Sequence, residues 1–173
     1  MSYYYLISSL PMLKPDGDMP ISYEQFLGLC KSSLDEQKLS LLTDLTLMST
    51  NGPLVKEWAI FYQELNQELT YQRSQRLGIK AKLPDFRNEQ ISKLVSQALN
   101  HKNPLSAELM LLELEFQKLD ELIGLHYFDE EALFGYALKL KLLERKSSFK
   151  IEQGKAEFNR IIVKLEEQIM SME

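Results

Sequence analysis

Residues 104–143 read PLSAELMLLELEFQKLDELIGLHYFDEEALFGYALKLKLL, and this stretch decides the fold class. Asn103 followed by Pro104 has the pattern of a capped helix start with proline in the first position. Apolar residues then recur at steps of three and four, as one face of a helix requires. They are Leu105, Leu109, Leu112, Phe116, Leu119 and Ile123. Further leucines at 111, 114 and 122 widen this face, so we expect a central helix that is covered from two sides.

The second half of the stretch predicts another buried helix. Asp129 can cap it after a turn around His126. Its two apolar stripes are Leu133, Tyr136, Ala137, Leu140 and Leu143, and Phe134, Leu138 and Leu142. Two stripes on one helix indicate burial on two sides. From both helices together we predict that Leu112, Phe116, Leu119, Leu140 and Leu143 belong to the core.

Upstream, helix starts are marked by capping boxes, in which a serine hydroxyl and a longer side chain three residues later satisfy the first turn. The boxes are Ser22 with Gln25 and Ser33 with Glu36, and the predicted helices cover residues 23–31 and 34–48. A long helix follows the Asn51-Gly52-Pro53 start and ends at Gly78. Pro84 and Asp85 introduce a further helix that ends near Asn100.

Both ends of the chain have their own patterns. Tyr3 to Leu10 is aromatic and β-branched enough to predict a short strand, which a proline-rich loop follows. Residues 151–170 predict an amphipathic helix whose apolar face carries Phe158, Ile161, Ile162, Leu165 and Ile169. The sequence therefore predicts an all-α fold: an irregular bundle of about six to seven helices with a short extended N-terminal segment. We expect a single domain over 1–173, with candidate hinges at 78–84 and 100–104.

Composition narrows the class of protein. Of the 173 residues, 45 % are hydrophobic and 26 % are charged, and the formal net charge is −5. This balance is that of a globular protein, and the negative charge disfavours nucleic acid as a partner. The single cysteine, the lack of a signal-peptide pattern and the lack of a long apolar run favour a cytoplasmic protein with no direct membrane insertion.

Motifs for catalysis, cofactors and metals are missing. The glycines are too scattered for a dinucleotide or phosphate loop, and neither histidine follows a glutamate by three residues, as a di-iron bundle requires. The dense carboxylates from Glu108 to Glu131 fall on several sides of a helix, so we expect a solvated face. We therefore expect no enzyme activity, no cofactor and no metal; a small enzyme that uses the His126 region is the weakest alternative.

Two basic clusters are the candidate binding features. The first contains Arg73, Arg76, Lys80, Lys82 and Arg87, and the second contains Lys139, Lys141, Arg145, Lys146 and Lys150. Either cluster could form salt bridges to the acidic helices or could dock an acidic partner. For partner binding we select Arg73, Arg76, Lys80 and Arg87.

Several strings resemble those of a known family. They are YYYLISSLP (3–11), WAIFY (58–62), RSQRLG (73–78), HYFD (126–129), YALKL (136–140) and LER (143–145), with a later Gly154. Together they resemble an uncharacterised bacterial family encoded among the subunits of V-type (A/V-type) ATP synthases. The residues that carry the resemblance are Tyr4, Pro11, Trp58, Phe61, Gly78, Phe128, Asp129, Tyr136, Glu144, Arg145 and Gly154.

That family is in turn distantly similar to the C-type subunit of these rotary enzymes, the helical central-stalk socket that is called d in eukaryotes. The chain is much shorter than a full-length socket of this type. The resemblance implies a non-catalytic subunit or assembly connector whose partners are ATPase subunits, with Asp129 as a helix cap and Glu144 with Arg145 as a polar bridge between helices. The alternative is a general helical adaptor without a link to the ATPase; the sequence leaves the oligomeric state open.

Overall fold

The structure is a computed structural model that describes residues 3–84, 87–147 and 160. Within these ranges it is helical and contains no strand. The seven described helices are α1 (Tyr3–Ser9), α2 (Tyr23–Lys31), α3 (Glu36–Thr43), α4 (Pro53–Arg76), α5 (Glu89–Asn100), α6 (Pro104–Ile123) and α7 (Glu130–Ser147). This confirms the all-α prediction. The helix predicted over 151–170 lies outside the described residues, apart from Arg160, which is helical and exposed.

Helix α6 has the central position that its wide apolar face predicts. It packs against α5, α7 and α4, while α7 also contacts α4, α1 and α2. All five residues predicted for the core are buried: Leu112, Phe116, Leu119, Leu140 and Leu143. Buried side chains from all seven helices join in one hydrophobic cluster, because each helix turns its apolar face toward the core.

The predicted N-terminal strand is wrong, because Tyr3–Ser9 forms helix α1. A lone strand would need a neighbouring strand for its backbone hydrogen bonds, whereas a helix satisfies them within the segment. Helical spacing also lets Leu6 become buried while Tyr3, Ile7 and Leu10 pack against the core. The segment without regular secondary structure is the loop that follows α1.

Most predicted helix starts are confirmed. Ser22 and Gln25 form both hydrogen bonds of a capping box, and Asn103 caps α6 with Pro104 in the first turn. Helix α5 begins later than Pro84 and Asp85 suggest, because the Asn88 side chain accepts from the amides of Gln90 and Ile91.

Helix α3 differs from its prediction at both ends. Asp35 caps it by accepting from the Lys38 amide at 2.8 Å, whereas the Ser33 amide donates to the last turn of α2 through the Cys30 carbonyl. The predicted box at Ser33 is therefore wrong, because a carboxylate suits the positive end of a helix and Ser33 serves the preceding helix. The helix ends at Thr43 rather than Met48.

Candidate interaction surface

The first basic cluster lies where α4 ends and the chain turns into the loop before α5. Gly78 has a φ of 68°, and its amide donates to the Gln75 carbonyl while the Ile79 amide donates to the Ser74 carbonyl. A left-handed glycine with these two bonds is the usual way to close a helix and redirect the chain. The following segment leaves Leu77, Ile79 and Leu83 exposed.

Arg73 and Lys80 are the members of the predicted set that face outward most clearly. The Arg73 side chain is more than half exposed, and its Nη2 lies 3.9 Å from Oε1 of Glu108, at the outer limit of an ion pair. Lys80 and Lys82 are exposed in the loop, and Lys82 lies between two apolar residues in the sequence. We call Arg73, Leu77, Ile79, Lys80, Lys82 and Leu83 the loop surface.

Arg76 holds two helices together. Its guanidinium donates to the Leu99 carbonyl and to Oδ1 of Asn100, at the end of α5. A cation at this position satisfies carbonyls that the helix leaves without partners and complements the negative end of the helix dipole. Internal bridging, which the sequence offered as one explanation of the cluster, is therefore present at Arg76.

Arg87 is held by a buried carboxylate. Its Nη2 lies 3.1 Å from Oε1 of Glu68, which is buried on α4, and its guanidinium lies over the ring of Tyr71. The Gln72 side chain donates to the same carboxylate at 2.6 Å. Burial alone would raise the pKa of Glu68, but hydrogen bonds from Gln72, Arg87 and Ser92 hold it below its ordinary value. This network anchors the far end of the loop to α4.

An open groove separates the loop from α4. It encloses about 480 Å³ between amide and hydroxyl side chains of α4 and the apolar Leu83, with Met48 at its edge. The α4 side chains are Gln63, Asn66, Gln67 and Thr70. The groove therefore combines hydrogen-bonding groups of α4 with apolar side chains and Lys82 of the loop.

The described lysines of the second basic cluster form ion pairs and hydrogen bonds within the fold. Lys139 pairs with Asp120 at 2.5 Å, Lys141 with Glu144 at 3.3 Å, and Lys146 donates to the carbonyls of Pro15 and Gly17. Lys150, the last member, lies outside the described residues.

The expectation of a solvated acidic face is wrong at Glu115, which is buried and pairs with Arg145. Glu115 is only 2 % exposed, and its two oxygens accept from Arg145 at 2.9 and 2.5 Å. Arg145 also donates to the Tyr62 hydroxyl, so it connects α7, α6 and α4. Burial raises the pKa of Glu115, while the guanidinium of Arg145 acts in the opposite direction. Glu144 forms an ion pair with Lys141 on the same helix.

The histidine region is an exposed turn. The Asp129 side chain accepts from the Ala132 amide at 3.0 Å, which confirms Asp129 as the cap of α7, and its second oxygen contacts Nδ1 of His126. Burial would raise the pKa of Asp129, but the Ala132 amide and His126 lower it. Both side chains are about half exposed, as suits a helix cap.

The other residues that carry the family resemblance have structural contacts. Trp58 is buried and donates to the Leu47 carbonyl at 3.1 Å, and Phe61 is buried beside it. The Tyr136 hydroxyl donates to the Pro11 carbonyl at 2.9 Å. Tyr4 packs on Phe128, with ring centroids 4.6 Å apart. Gly154 lies outside the described residues.

The sequence pattern placed the basic residues of the loop surface in the first basic cluster, and it selected Arg73 and Lys80 for binding, but the exposed apolar residues were missed. The signal was present in the string LGIKAKLP (77–84), where apolar residues and lysines alternate. Among the described residues, no group of three or more His, Cys, Asp or Glu side chains could hold a metal ion. No helix in the described ranges is long and apolar enough to span a membrane.

The model of one known protein family matches part of the chain. Residues 89–169 match the model of a family described as "Protein of unknown function (DUF2764)". These residues begin with α5 and include α6 and α7, so the match covers the helices that form much of the core. Neither the curated proteins nor the solved structures contain a match to the chain.

Proposed function

We propose that this protein is a non-catalytic helical adaptor that binds another protein through the loop surface. The observation that carries the proposal is the alternation of exposed apolar and basic side chains after α4, with Leu77, Ile79 and Leu83 interleaved with Lys80 and Lys82. Exposed apolar side chains that are rimmed by charge are typical of protein interaction sites.

The charge of the loop surface selects the class of partner. Arg73 and Lys80 make it locally basic on a chain whose net charge is −5. A partner segment with carboxylates and apolar side chains would satisfy both components, since complementary charge speeds association and apolar contact supplies affinity. The ion pair of Arg87 with the buried Glu68 supports this function by anchoring the loop, which reduces the entropy lost on binding.

The specific form of the proposal is that the partner is a V-type ATP synthase. It rests on the family resemblance of the sequence, and the chain would act as a subunit or as an assembly connector similar to the central-stalk socket. It would then be a cytoplasmic protein held at the inner membrane by the complex. A helical body with a packed core and no reaction chemistry of its own suits such a connector.

The test is affinity purification of the tagged chain from its native host, followed by mass spectrometry and by binding to purified ATPase subunits. Ile79→Ser combined with Leu83→Ser should reduce recovery of the ATPase subunits about tenfold or more, because apolar anchors carry much of the energy of an interface. Ile60→Ser is the matched control, since Ile60 is 53 % exposed and Ile79 is 56 % exposed.

Three outcomes have different meanings. Recovery of ATPase subunits by the wild type and by Ile60→Ser, but not by the double variant, supports the proposal. Wild-type protein that binds no ATPase subunit overturns the specific partner and favours a general adaptor. A double variant that binds normally overturns the loop surface as the docking site.

A further inference from the structure

A second exposed cluster lies where α1 meets the turn between α6 and α7. The rings of Tyr4 and Tyr5 pack edge to face with centroids 5.5 Å apart, and Tyr4 also packs on Phe128. Tyr5 is 79 % exposed, and about half of Phe128 is exposed. We call these three residues the aromatic surface.

The aromatic surface is held in place by the fold. Leu6 is buried and anchors α1, while the Tyr3 hydroxyl accepts from Nζ of Lys38 at 2.6 Å. Phe128 directly precedes Asp129, whose carboxylate caps α7. Aromatic rings that are fixed before binding lose little entropy on association, and tyrosine is enriched among the residues that dominate interface energies.

The residues next to the aromatic surface are predominantly acidic. Asp129, Glu130 and Glu131 follow Phe128 in the chain, and the cation that contacts them from α3 is Lys38, 2.7 Å from Glu130. His126 contacts Asp129 from the same turn. The three carboxylates outnumber Lys38, so this rim is acidic where the loop surface is basic.

The two surfaces lie toward opposite ends of α4. Oε2 of Glu131 accepts from the Leu54 amide at 3.1 Å, which places the first turn of α7 at the start of α4. The loop surface begins at the end of the same helix, with Arg73 and Leu77. At a rise of about 1.5 Å per residue, Leu54 and Arg76 are about 33 Å apart along the helix axis.

We propose that the aromatic surface binds a basic segment of a second partner protein, one that inserts an apolar side chain against Tyr4, Tyr5 and Phe128. The acidic rim favours lysine and arginine around the apolar anchor, and it disfavours the anionic surface of a membrane. This inference does not depend on the loop surface or on the identity of its partner. With both surfaces occupied, the chain connects two proteins of opposite charge across the length of α4.

The test uses a synthetic helical peptide of leucine and lysine with a fluorescent label, and its counterpart in which glutamate replaces lysine. Fluorescence anisotropy with the full chain should show binding of the Leu/Lys peptide and at least tenfold weaker binding of the Leu/Glu peptide. Tyr4→Ser combined with Phe128→Ser should weaken Leu/Lys binding about tenfold, because it removes the apolar anchor site. Met12→Ser is the control, since Met12 is 80 % exposed in the loop after α1.

Separate control variants test whether the substitutions disturb folding and whether the loop surface contributes to binding. If the double variant melts at a lower temperature than wild type, Tyr5→Ser replaces it, because Tyr5 is the most exposed of the three rings. Ile79→Ser with Leu83→Ser should leave Leu/Lys binding unchanged, so failure of the loop surface is distinguishable from failure of this one.

Several results would overturn the inference. One is equal binding of the Leu/Lys peptide by wild type and by the aromatic variants, which would show attraction by overall charge alone. Others are sedimentation of wild-type protein with phosphatidylserine vesicles that the aromatic variants abolish, and dimerisation in analytical ultracentrifugation that the same variants abolish. The first of these assigns the surface to a membrane and the second to another copy of the chain.

Discussion

Arg145 on α7 pairs with Glu115 on α6 through two hydrogen bonds, and Glu115 is almost completely buried. The same guanidinium reaches the Tyr62 hydroxyl of α4 at 3.1 Å. One side chain thus joins three helices of the core. The two charged residues lie on the two helices that decide the fold, but the distance of 30 positions between them hides the pair in the sequence.

Removal of Arg145 should destabilise the protein strongly. Arg145→Met leaves the Glu115 carboxylate buried without its cation, and such changes cost about 3–5 kcal/mol in the free energy of unfolding. Urea denaturation measures this cost. The control is the double variant Arg145→Met with Glu115→Leu, which removes both charges and should recover most of the loss. A single variant that is as stable as wild type would contradict the structural role of the pair.

The Glu68–Arg87 pair should make stability depend on acidic pH. The folded-state pKa of Glu68 is lowered from the ordinary 4.5, so the carboxylate contributes stability above that pH. The contribution is lost as pH falls through the depressed folded pKa, since the unfolded state then binds the proton first. Urea titrations at a series of pH values above and below 4.5 measure the free energy of unfolding. The difference in this free energy between wild type and Glu68→Gln should shrink as the pH falls.

Arg87→Gln is the matched variant for the pH prediction. It removes one of the groups that lower the pKa of Glu68, so its acid-dependent loss of stability should begin at higher pH than that of wild type. The same loss at the same pH in both proteins would show that Arg87 does not stabilise the carboxylate.

The core at α6 should respond to a cavity. Leu119 is fully buried, and Leu119→Ala should lower the free energy of unfolding by about 2–4 kcal/mol through lost burial and the space left behind. Leu125→Ala tests an exposed leucine in the turn after the same helix and should have little effect. Thermal denaturation of both variants distinguishes a packed core from a loosely ordered one.

Two glycines should respond in opposite directions to alanine. Gly78 has a φ of 68°, where a side chain is strained, so Gly78→Ala should destabilise the protein by about 1 kcal/mol. Gly28 lies within α2, and beyond its chain neighbours and the backbone of its own helix a Cβ there meets no atom within 4 Å, so Gly28→Ala should be stabilising by up to about 1 kcal/mol. Equal effects at both positions in calorimetry would contradict the left-handed turn at Gly78.

The sequence by itself determined the fold class and the largest helices. The apolar spacing of α6 and α7 correctly predicted the burial of residues such as Phe116 and Leu140, because helical periodicity places residues three and four apart on one face. Local capping chemistry likewise predicted the starts at Ser22 and Asn103. These features depend on residues within a few positions of one another, so a linear reading contains them.

Only the tertiary structure decided which polar residues become internal and which remain available for binding. The N-terminal segment forms helix α1 rather than the predicted strand, because no strand is present in the described ranges to pair with it. Glu115 is buried against Arg145, and Arg76 donates hydrogen bonds to the end of α5. Arg73 and Lys80, in contrast, are exposed. The physical reason is that burial and ion pairing depend on how distant helices meet, whereas periodicity records only which face of a helix is apolar.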